Sequence, residues 1–312
     1  MPNDDSPSPA RRARPLTTAA ALAVLCLTAA GCGGGPEADE KGADAPRPGG
    51  DGASATAGAP ERSSSPSSAG QRPDPSASPG KPLPRGPLTG RTVVIDPGHN
   101  PGNREHTREI NEKVDIGTAR KECDTTGTST NDGYPEAQFT LDVSRRLRAL
   151  LEAEGARVRL THEDDRPFGP CIDERARIGN EAKADAVVSV HADGSAVGNR
   201  GFHVILPALV KGGGADTTKI VKSSAELGER IAGHFVRTTG SAPSNYIGGN
   251  TGLDTRGDLG GLNLSTVPKV FIECGNMRDP KDAALLTSAD WRQKAARGLA
   301  DGISGYLRGS DG

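Results

Sequence analysis

The fold is decided by residues 92–99, which read TVVIDPGH. This stretch is a short apolar run that ends in a Pro-Gly turn, and that pattern is typical of a buried strand followed by a tight loop. A histidine, His99, stands directly after the turn. The stretch therefore predicts a buried strand that delivers a polar side chain at its carboxyl end.

Helix and strand patterns alternate after this first strand. Apolar residues recur at helical spacing over 136–154, at Phe139, Val143 and Leu147, and Gly155 is a suitable stop. The same patterns predict strands at 157–161, 186–190, 201–206 and 269–272, and helices at 172–182, 219–237 and 290–307. This alternation predicts an α/β fold, with an open and mostly parallel sheet flanked by helices on both faces, as a single domain over 89–312.

The composition upstream of this domain cannot support a core. Only 33% of the 312 residues are hydrophobic, and the chain contains 42 Gly and 24 Pro. Residues 33–88 are dominated by Gly, Pro, Ser, Ala and charged residues, without the periodicity of a strand or a helix. They are predicted to form a disordered tether.

Residues 1–32 have the pattern of an export signal. Arginines at positions 11, 12 and 14 precede an apolar run over 16–30, which is short for a membrane span of about 20 residues. The run ends in AAGC at 29–32, which resembles the lipobox of bacterial lipoproteins. That resemblance implies acylation of Cys32 and a lipid anchor at the outer face of the cytoplasmic membrane. Ordinary secretion after cleavage near Ala30 is the alternative.

Charge and aromatic content argue against nucleic acid as a partner. The formal net charge is -2 and aromatic residues make up 3% of the chain, so neither electrostatic attraction nor a stacking platform is available. No internal repeat or further domain is visible, and a monomer is the default expectation.

Three polar side chains stand where predicted buried strands end: His99, His191 and Glu273. In open α/β sheets the ligand crevice lies beyond the carboxyl ends of the strands, so these residues are expected to converge. Glu136 lies on the apolar face of its predicted helix, with Phe139, where an unpaired carboxylate would be costly. A metal ion bound by the two histidines would supply the missing positive charge.

Two imidazoles and one carboxylate, with an open fourth position, form the usual ligand set of a hydrolytic zinc. We predict one Zn²⁺ held by His99, Glu136 and His191, with Glu273 as general base and acid and Asp96 as a brace for His99. Each residue alone has an ordinary explanation: His99 could be a turn residue, Glu136 a helix cap and His191 a core histidine. Glu273 could pair with Arg256 or Arg278. The four together are much harder to explain in that way.

Four motifs occur in the order seen in the zinc-dependent N-acetylmuramoyl-L-alanine amidases of the amidase-3 family: VIDPGH at 94–99, YPE at 134–136, VSVHAD at 188–193 and FIECGN at 271–276. The chain resembles this family from about residue 90 to residue 308. The resemblance implies that His99, Glu136 and His191 bind zinc and that Glu273 is catalytic. It also implies a peptidoglycan substrate, cut at the amide between the lactyl group of N-acetylmuramic acid and L-alanine.

Three cysteines lie in the predicted domain. Cys274 follows Glu273 at a strand end and is expected to be buried and reduced. Cys123 and Cys171 lie in polar segments of an exported protein and are predicted to form a disulfide. The polar segment 100–134 has two open interpretations, a hairpin beside the cleft or a surface loop.

Two other functions stay open at the level of the sequence. A zinc peptidase acting within the stem peptide would use the same four residues. A non-catalytic cell-wall-binding lipoprotein is the other, and the intact set of four argues against it. Asn263, in the stretch 258–264, is a candidate for contacting the stem peptide.

Overall fold

The structure is a computed structural model, and it describes residues 84–309. The predicted export signal (1–32), the predicted acylation site Cys32 and the predicted tether up to residue 83 lie outside the described residues. Among residues 84–309, no helix has the length and apolar composition needed to cross a bilayer.

The described chain alternates strands and helices, with two short 3-10 turns at Pro101–Glu105 and Gly248–Asn250. The strands are β1 (Thr92–Pro97), β2 (Lys113–Asp115), β3 (Arg120–Glu122), β4 (Arg157–Leu160), β5 (Ala186–Asp193), β6 (His203–Pro207), β7 (Lys211–Gly212), β8 (Ala215–Asp216), β9 (Leu253–Arg256) and β10 (Lys269–Asn276). The helices are α1 (Thr107–Ile110), α2 (Glu136–Ala153), α3 (Ile172–Glu181), α4 (Val221–Thr239), α5 (Gly260–Asn263), α6 (Pro280–Leu286) and α7 (Ala289–Gly309).

Six strands form one sheet in the order β4-β1-β5-β10-β6-β9. Strands β4, β1, β5 and β10 run parallel to one another, whereas β6 is antiparallel to β10 and β9 is parallel to β6. The predicted α/β fold with a mostly parallel sheet is therefore confirmed. The carboxyl ends of β1, β5 and β10 lie side by side, which places their terminal polar residues at one edge.

The two faces of the sheet bury different residues because side chains alternate along a strand. On one face, Ile95 and Ile272 join the main apolar core, to which α2, α4 and α7 also contribute. On the other face, Val94 and Val187 form a small cluster with Ile178 of α3. Helices therefore cover both faces, but only one of them by a continuous apolar layer.

The packed domain begins before residue 89. Leu88 is fully buried in the main core, and its backbone amide donates to the carbonyl of Glu154 at 2.9 Å. Leu88, the last residue of the predicted tether 33–88, is therefore packed with the domain. A single leucine within a Pro- and Gly-rich stretch has no periodicity that would reveal its burial.

The long elements lie within a few residues of their predicted positions, and the short ones were not predicted. Segment 100–134 contains the β2–β3 hairpin, so the hairpin interpretation is the one the structure supports. The other additions are α1, α5, α6, β9 and the β7–β8 hairpin. These elements lack the apolar runs and the helical spacing that locate the other strands and helices.

Candidate metal centre

Gly98 and His99 follow β1 and bring the first imidazole to the second. The Gly98 amide donates to the Val190 carbonyl at 3.0 Å, which extends the pairing with β5 beyond the strand end. A Cβ atom on residue 98 would lie 2.2 Å from the ring of His191, so only glycine permits this approach. His99 itself has φ 60°, a left-handed conformation that is uncommon for a residue with a side chain.

Glu136, the first residue of α2, links the two histidines. Its Oε2 lies 3.1 Å from His99 Nε2, and its Oε1 lies 2.9 Å from His191 Nδ1. One side-chain donor atom from each of the three residues lies within 4.8 Å of the others. The structure therefore brings together the three residues predicted to bind zinc.

Backbone amides hold the Glu136 carboxylate in place. Oε1 accepts from the Ala192 amide at 3.2 Å, and Oε2 accepts from the Thr128 amide at 2.9 Å. The loop before α2 passes so close that a Cβ atom on Gly127 would lie 2.8 Å from Glu136 Oε2. Glu136 is thus fixed at the centre of the group.

The outer nitrogen of His99 faces a backbone carbonyl. His99 Nδ1 lies 3.0 Å from the Thr125 carbonyl and 3.5 Å from Asp124 Oδ1. A carbonyl only accepts, so Nδ1 carries a proton, which leaves Nε2 as the nitrogen that faces Glu136 and would bind a metal. The prediction that Asp96 braces His99 is wrong. The Asp96 carboxylate accepts hydrogen bonds from Arg175 and from three other side chains instead.

The electrostatics of the group favour a bound cation. Burial opposes both charges, yet the Glu136 carboxylate raises the pKa of His99 to about 10, and His99 in turn holds the pKa of Glu136 well below its usual range. Burial lowers the pKa of His191, which favours a neutral, ligating imidazole. Tetrahedral zinc separates its ligand atoms by about 3.3 Å. The distances from Glu136 to the two histidine nitrogens, 3.1 and 2.9 Å, are close to that value, and two imidazoles with a carboxylate are a donor set that fits Zn²⁺.

Glu273 lies on β10 beside this group, paired in register with His191 of β5. Its Oε2 is buried and has no hydrogen-bond partner among the described residues. Burial, and then the nearby Glu136 and Asp193 carboxylates, raise the pKa of Glu273 well above its ordinary value. An unpartnered buried carboxyl oxygen is costly to the fold and indicates a group kept available for chemistry.

The arginines that offered ordinary partners for Glu273 are engaged elsewhere. Arg256 Nη2 lies 2.6 Å from Asp258 Oδ2, and Arg278 donates to the Ser129 carbonyl at 3.3 Å.

A cavity of about 290 Å³ adjoins His99 and His191 on the α3 side of the sheet. Its apolar wall includes Phe271, on which the His191 ring stacks with centroids 3.9 Å apart. At its edge, Lys121 of β3 donates to the Asp258 carbonyl at 2.7 Å. The cavity gives space for part of a ligand directly beside two of the three donor residues, His99 and His191.

The other residues singled out in the sequence of the domain are three cysteines and Asn263. Cys123 and Cys171 form a disulfide, and Cys274 is a buried free thiol, as predicted. Asn263 is fully buried, and its amide group donates to the Gly257 carbonyl at 2.9 Å. This bond holds the turn before α5, and contact between Asn263 and the stem peptide stays a prediction.

Sequence reasoning missed three residues that surround His99, namely Asp124, Thr125 and Arg175. Arg175 carried a usable signal, because it lies on the buried face of α3 with Ile178, and a cation on an apolar helix face is as unusual as Glu136. Thr125 contributes a backbone carbonyl, for which no residue type gives a signal.

Comparisons with known proteins point to one family of enzymes. The family model described as N-acetylmuramoyl-L-alanine amidase matches residues 93–305. An N-acetylmuramoyl-L-alanine amidase of Mycobacterium tuberculosis is 42% identical over 221 residues, which are 70% of this chain and 88% of that protein.

Two crystal structures of the N-acetylmuramyl-L-alanine amidase Ami1 are also similar. The structure from Mycobacterium smegmatis matches with a TM-score of 0.65 and 39% identity, over 72% of this chain and 99% of that chain. The apo form from Mycobacterium abscessus matches with a TM-score of 0.63 and 40% identity, over 70% of this chain and 100% of that chain.

Proposed function

The chain belongs to the N-acetylmuramoyl-L-alanine amidase family and is a peptidoglycan amidase, and we propose that it works with one zinc ion held by His99, Glu136 and His191. The bond it cuts joins the lactyl group of N-acetylmuramic acid to the L-alanine of the stem peptide. One observation carries the proposal: the three donor residues converge within 4.8 Å on the strand edge that also holds Glu273.

The residues divide the chemistry between them. Zinc in such a donor set supplies a Lewis acid that polarises the scissile carbonyl and makes water nucleophilic near neutral pH. Glu273 takes a proton from the attacking water while the water oxygen bonds to the carbonyl carbon. Glu273 then gives that proton to the departing nitrogen as the C–N bond breaks, which releases a lactyl carboxyl group and a free stem peptide.

Backbone groups around the donor residues fix the orientation of their side chains. The Thr125 carbonyl keeps the proton of His99 on Nδ1, and the amides of Ala192 and Thr128 hold Glu136 between the rings. The cavity bounded by Phe271 then receives substrate on the α3 side. The site is thus preorganised by backbone groups before substrate binds.

The placement of the enzyme follows from the predicted N-terminal segments. A peptidoglycan amidase acts in the cell envelope, outside the cytoplasm. Within that location we propose export by 1–32, acylation at Cys32 and a tether that gives the catalytic domain reach above the membrane; secretion without the lipid is the alternative. We propose that the enzyme acts as a monomer.

The test is product analysis of the full chain with defined muropeptides. The protein is stripped with a chelator, then divided into a portion without metal and one with a single equivalent of zinc. We expect only the zinc portion to release intact disaccharide and a stem peptide beginning at L-alanine, identified by mass spectrometry. A Glu181→Gln variant, changed at an exposed glutamate paired with Arg177, serves as a control for handling.

The other outcomes separate the competing functions. Cleavage between amino acids of the stem peptide would replace the amidase with a zinc peptidase. Bound zinc without any cleavage would favour the cell-wall-binding lipoprotein. Full activity in the stripped protein would overturn the zinc proposal while leaving the amidase activity in place.

A further inference from the structure

Of the three donor residues, His99 alone lies outside a helix or strand. Glu136 belongs to α2 and His191 to β5, whereas His99 follows the end of β1 and has φ 60°. A left-handed backbone at a non-glycine residue persists only where surrounding contacts enforce it. The question is which group enforces it.

The Arg175 guanidinium contacts both the backbone of His99 and the segment that binds its ring. Nη2 donates to the His99 carbonyl at 3.0 Å and to Asp124 Oδ2 at 2.8 Å. Asp124 precedes Thr125, whose carbonyl lies 3.0 Å from His99 Nδ1. One side chain therefore links the main chain of the ligand to the segment that orients its imidazole.

The rest of the guanidinium is anchored to rigid parts of the fold. Nε donates to the Pro170 carbonyl at 2.8 Å, and Nη1 donates to Asp96 Oδ1 at 2.9 Å and to the Pro97 carbonyl. Together with the two bonds of Nη2, all five N–H donors of the arginine have an acceptor. Because Arg175 is 4% exposed, these bonds do not compete with water.

We infer that Arg175 is a positioning residue for the metal ligand His99: its planar five-donor fork holds the turn after β1 and the Asp124–Thr125 segment in the geometry that directs His99 Nε2 at the metal. This inference rests on the proposed function, since it takes His99 as a ligand. A lysine at 175 would keep the charge but has one donor atom and cannot reach the separate acceptors at once.

The floor of the cavity provides a matched control. Lys269 is also a buried cation on Asp96, with Nζ 3.2 Å from Oδ2, and it is 1% exposed. Within residues 84–309 it makes no hydrogen bond or ion pair with His99, Asp124 or Thr125. Arg175→Met and Lys269→Met each remove one buried positive charge from the same carboxylate, but only the first removes the bonds to the segments around His99.

The experiment measures zinc affinity of the full chain by competition with a chromophoric chelator, with thermal unfolding of each metal-free variant alongside. A His191→Ala variant gives the background from sites outside the donor set. We expect Arg175→Met and Arg175→Lys to bind zinc about 10–100-fold more weakly, the range typical of residues that orient a metal ligand. We expect Lys269→Met to lower thermal stability yet keep wild-type zinc affinity.

A cobalt spectrum adds a measurement that stability alone does not move. At saturating Co²⁺, we expect the visible absorption bands to change in Arg175→Lys and to match the wild type in Lys269→Met. Equal losses of zinc affinity in Arg175→Lys and Lys269→Met, or wild-type affinity and spectrum in Arg175→Lys, would overturn the inference.

Two further results keep the test decisive. If neither Arg175 variant folds, Asp124→Asn breaks the charged bond to Arg175 with little change in shape, and unchanged zinc affinity there would overturn the inference. A wild-type chain that binds no more zinc than His191→Ala would instead defeat the proposed metal site itself.

Discussion

The two faces of the central sheet are built from alternate residues of the same strands, yet they differ in chemistry and in function. On β10, Val270 and Ile272 enter the continuous apolar core, whereas Lys269 and Glu273 face the other way. The first face is stabilised by burial of apolar surface, which is non-directional. The second buries charges that depend on exact partners and geometry.

The buried charges of the polar face neutralise one another. Asp96, Asp124, Arg175 and Lys269 are all buried, and their formal charges cancel in pairs. Burial alone would raise the pKa of Asp96, but Lys269 and Arg175 hold that pKa well below its usual range. One face of the sheet therefore makes the domain stable, and the other places its reactive groups.

The largest effect expected from this comparison is on the reactive face. Glu273→Gln keeps the size of the side chain but removes its ability to accept a proton, so kcat should fall by about 10²–10⁴-fold. Thermal unfolding should shift little, because Oε2 makes no hydrogen bond in the described structure. Activity assays and calorimetry check both parts, and a wild-type rate would exclude Glu273 as the base.

Ile272, the neighbour of Glu273 on the opposite face, should affect stability and not activity. Ile272→Ala leaves a cavity in the main core and should lower the free energy of unfolding by about 2–5 kcal/mol. At a temperature where the variant stays folded, its kcat and zinc affinity should match the wild type. Urea titration with parallel kinetics tests this, and a loss of zinc affinity in the folded variant would mean that the two faces are coupled.

A third experiment asks how much the disulfide contributes to the reactive face. Replacing Cys123 and Cys171 together by serine opens a loop with a sequence separation of 48 residues. The chain-entropy model gives a loss of up to about 4 kcal/mol in the free energy of unfolding. Zinc affinity should also fall, because Cys123 directly precedes Asp124. An unchanged affinity would show that Arg175 holds this segment without the disulfide.

The smallest effect is expected where the polar contacts are exposed. Lys121→Ala removes the contact between β3 and Asp258, which is accessible to solvent on both sides. The free energy of unfolding should change by less than about 1 kcal/mol. Hydrogen exchange at 113–122 measures any loosening of the hairpin. A larger loss than in the cysteine variant would show that the ion pair, not the disulfide, fixes this segment.

Much of the fold and of the donor set could be predicted from the sequence. Periodicity located α2, α3, α4 and α7, and apolar runs located the strands of the sheet centre. The donor residues were found because each breaks a local pattern: polar residues end buried strands, and Glu136 interrupts an apolar helix face. Such signals are contained within a few neighbouring residues.

Local sequence patterns are enough to predict the alternation of strands and helices, and hence that His99, His191 and Glu273 meet at one sheet edge. The groups that surround these residues depend on how distant segments pack. The five acceptors of Arg175 come from three separate segments, and three of those acceptors are backbone carbonyls that no residue type announces. Hydrogen bonds are directional and short, so these partners are fixed by the packed chain and not by any local pattern.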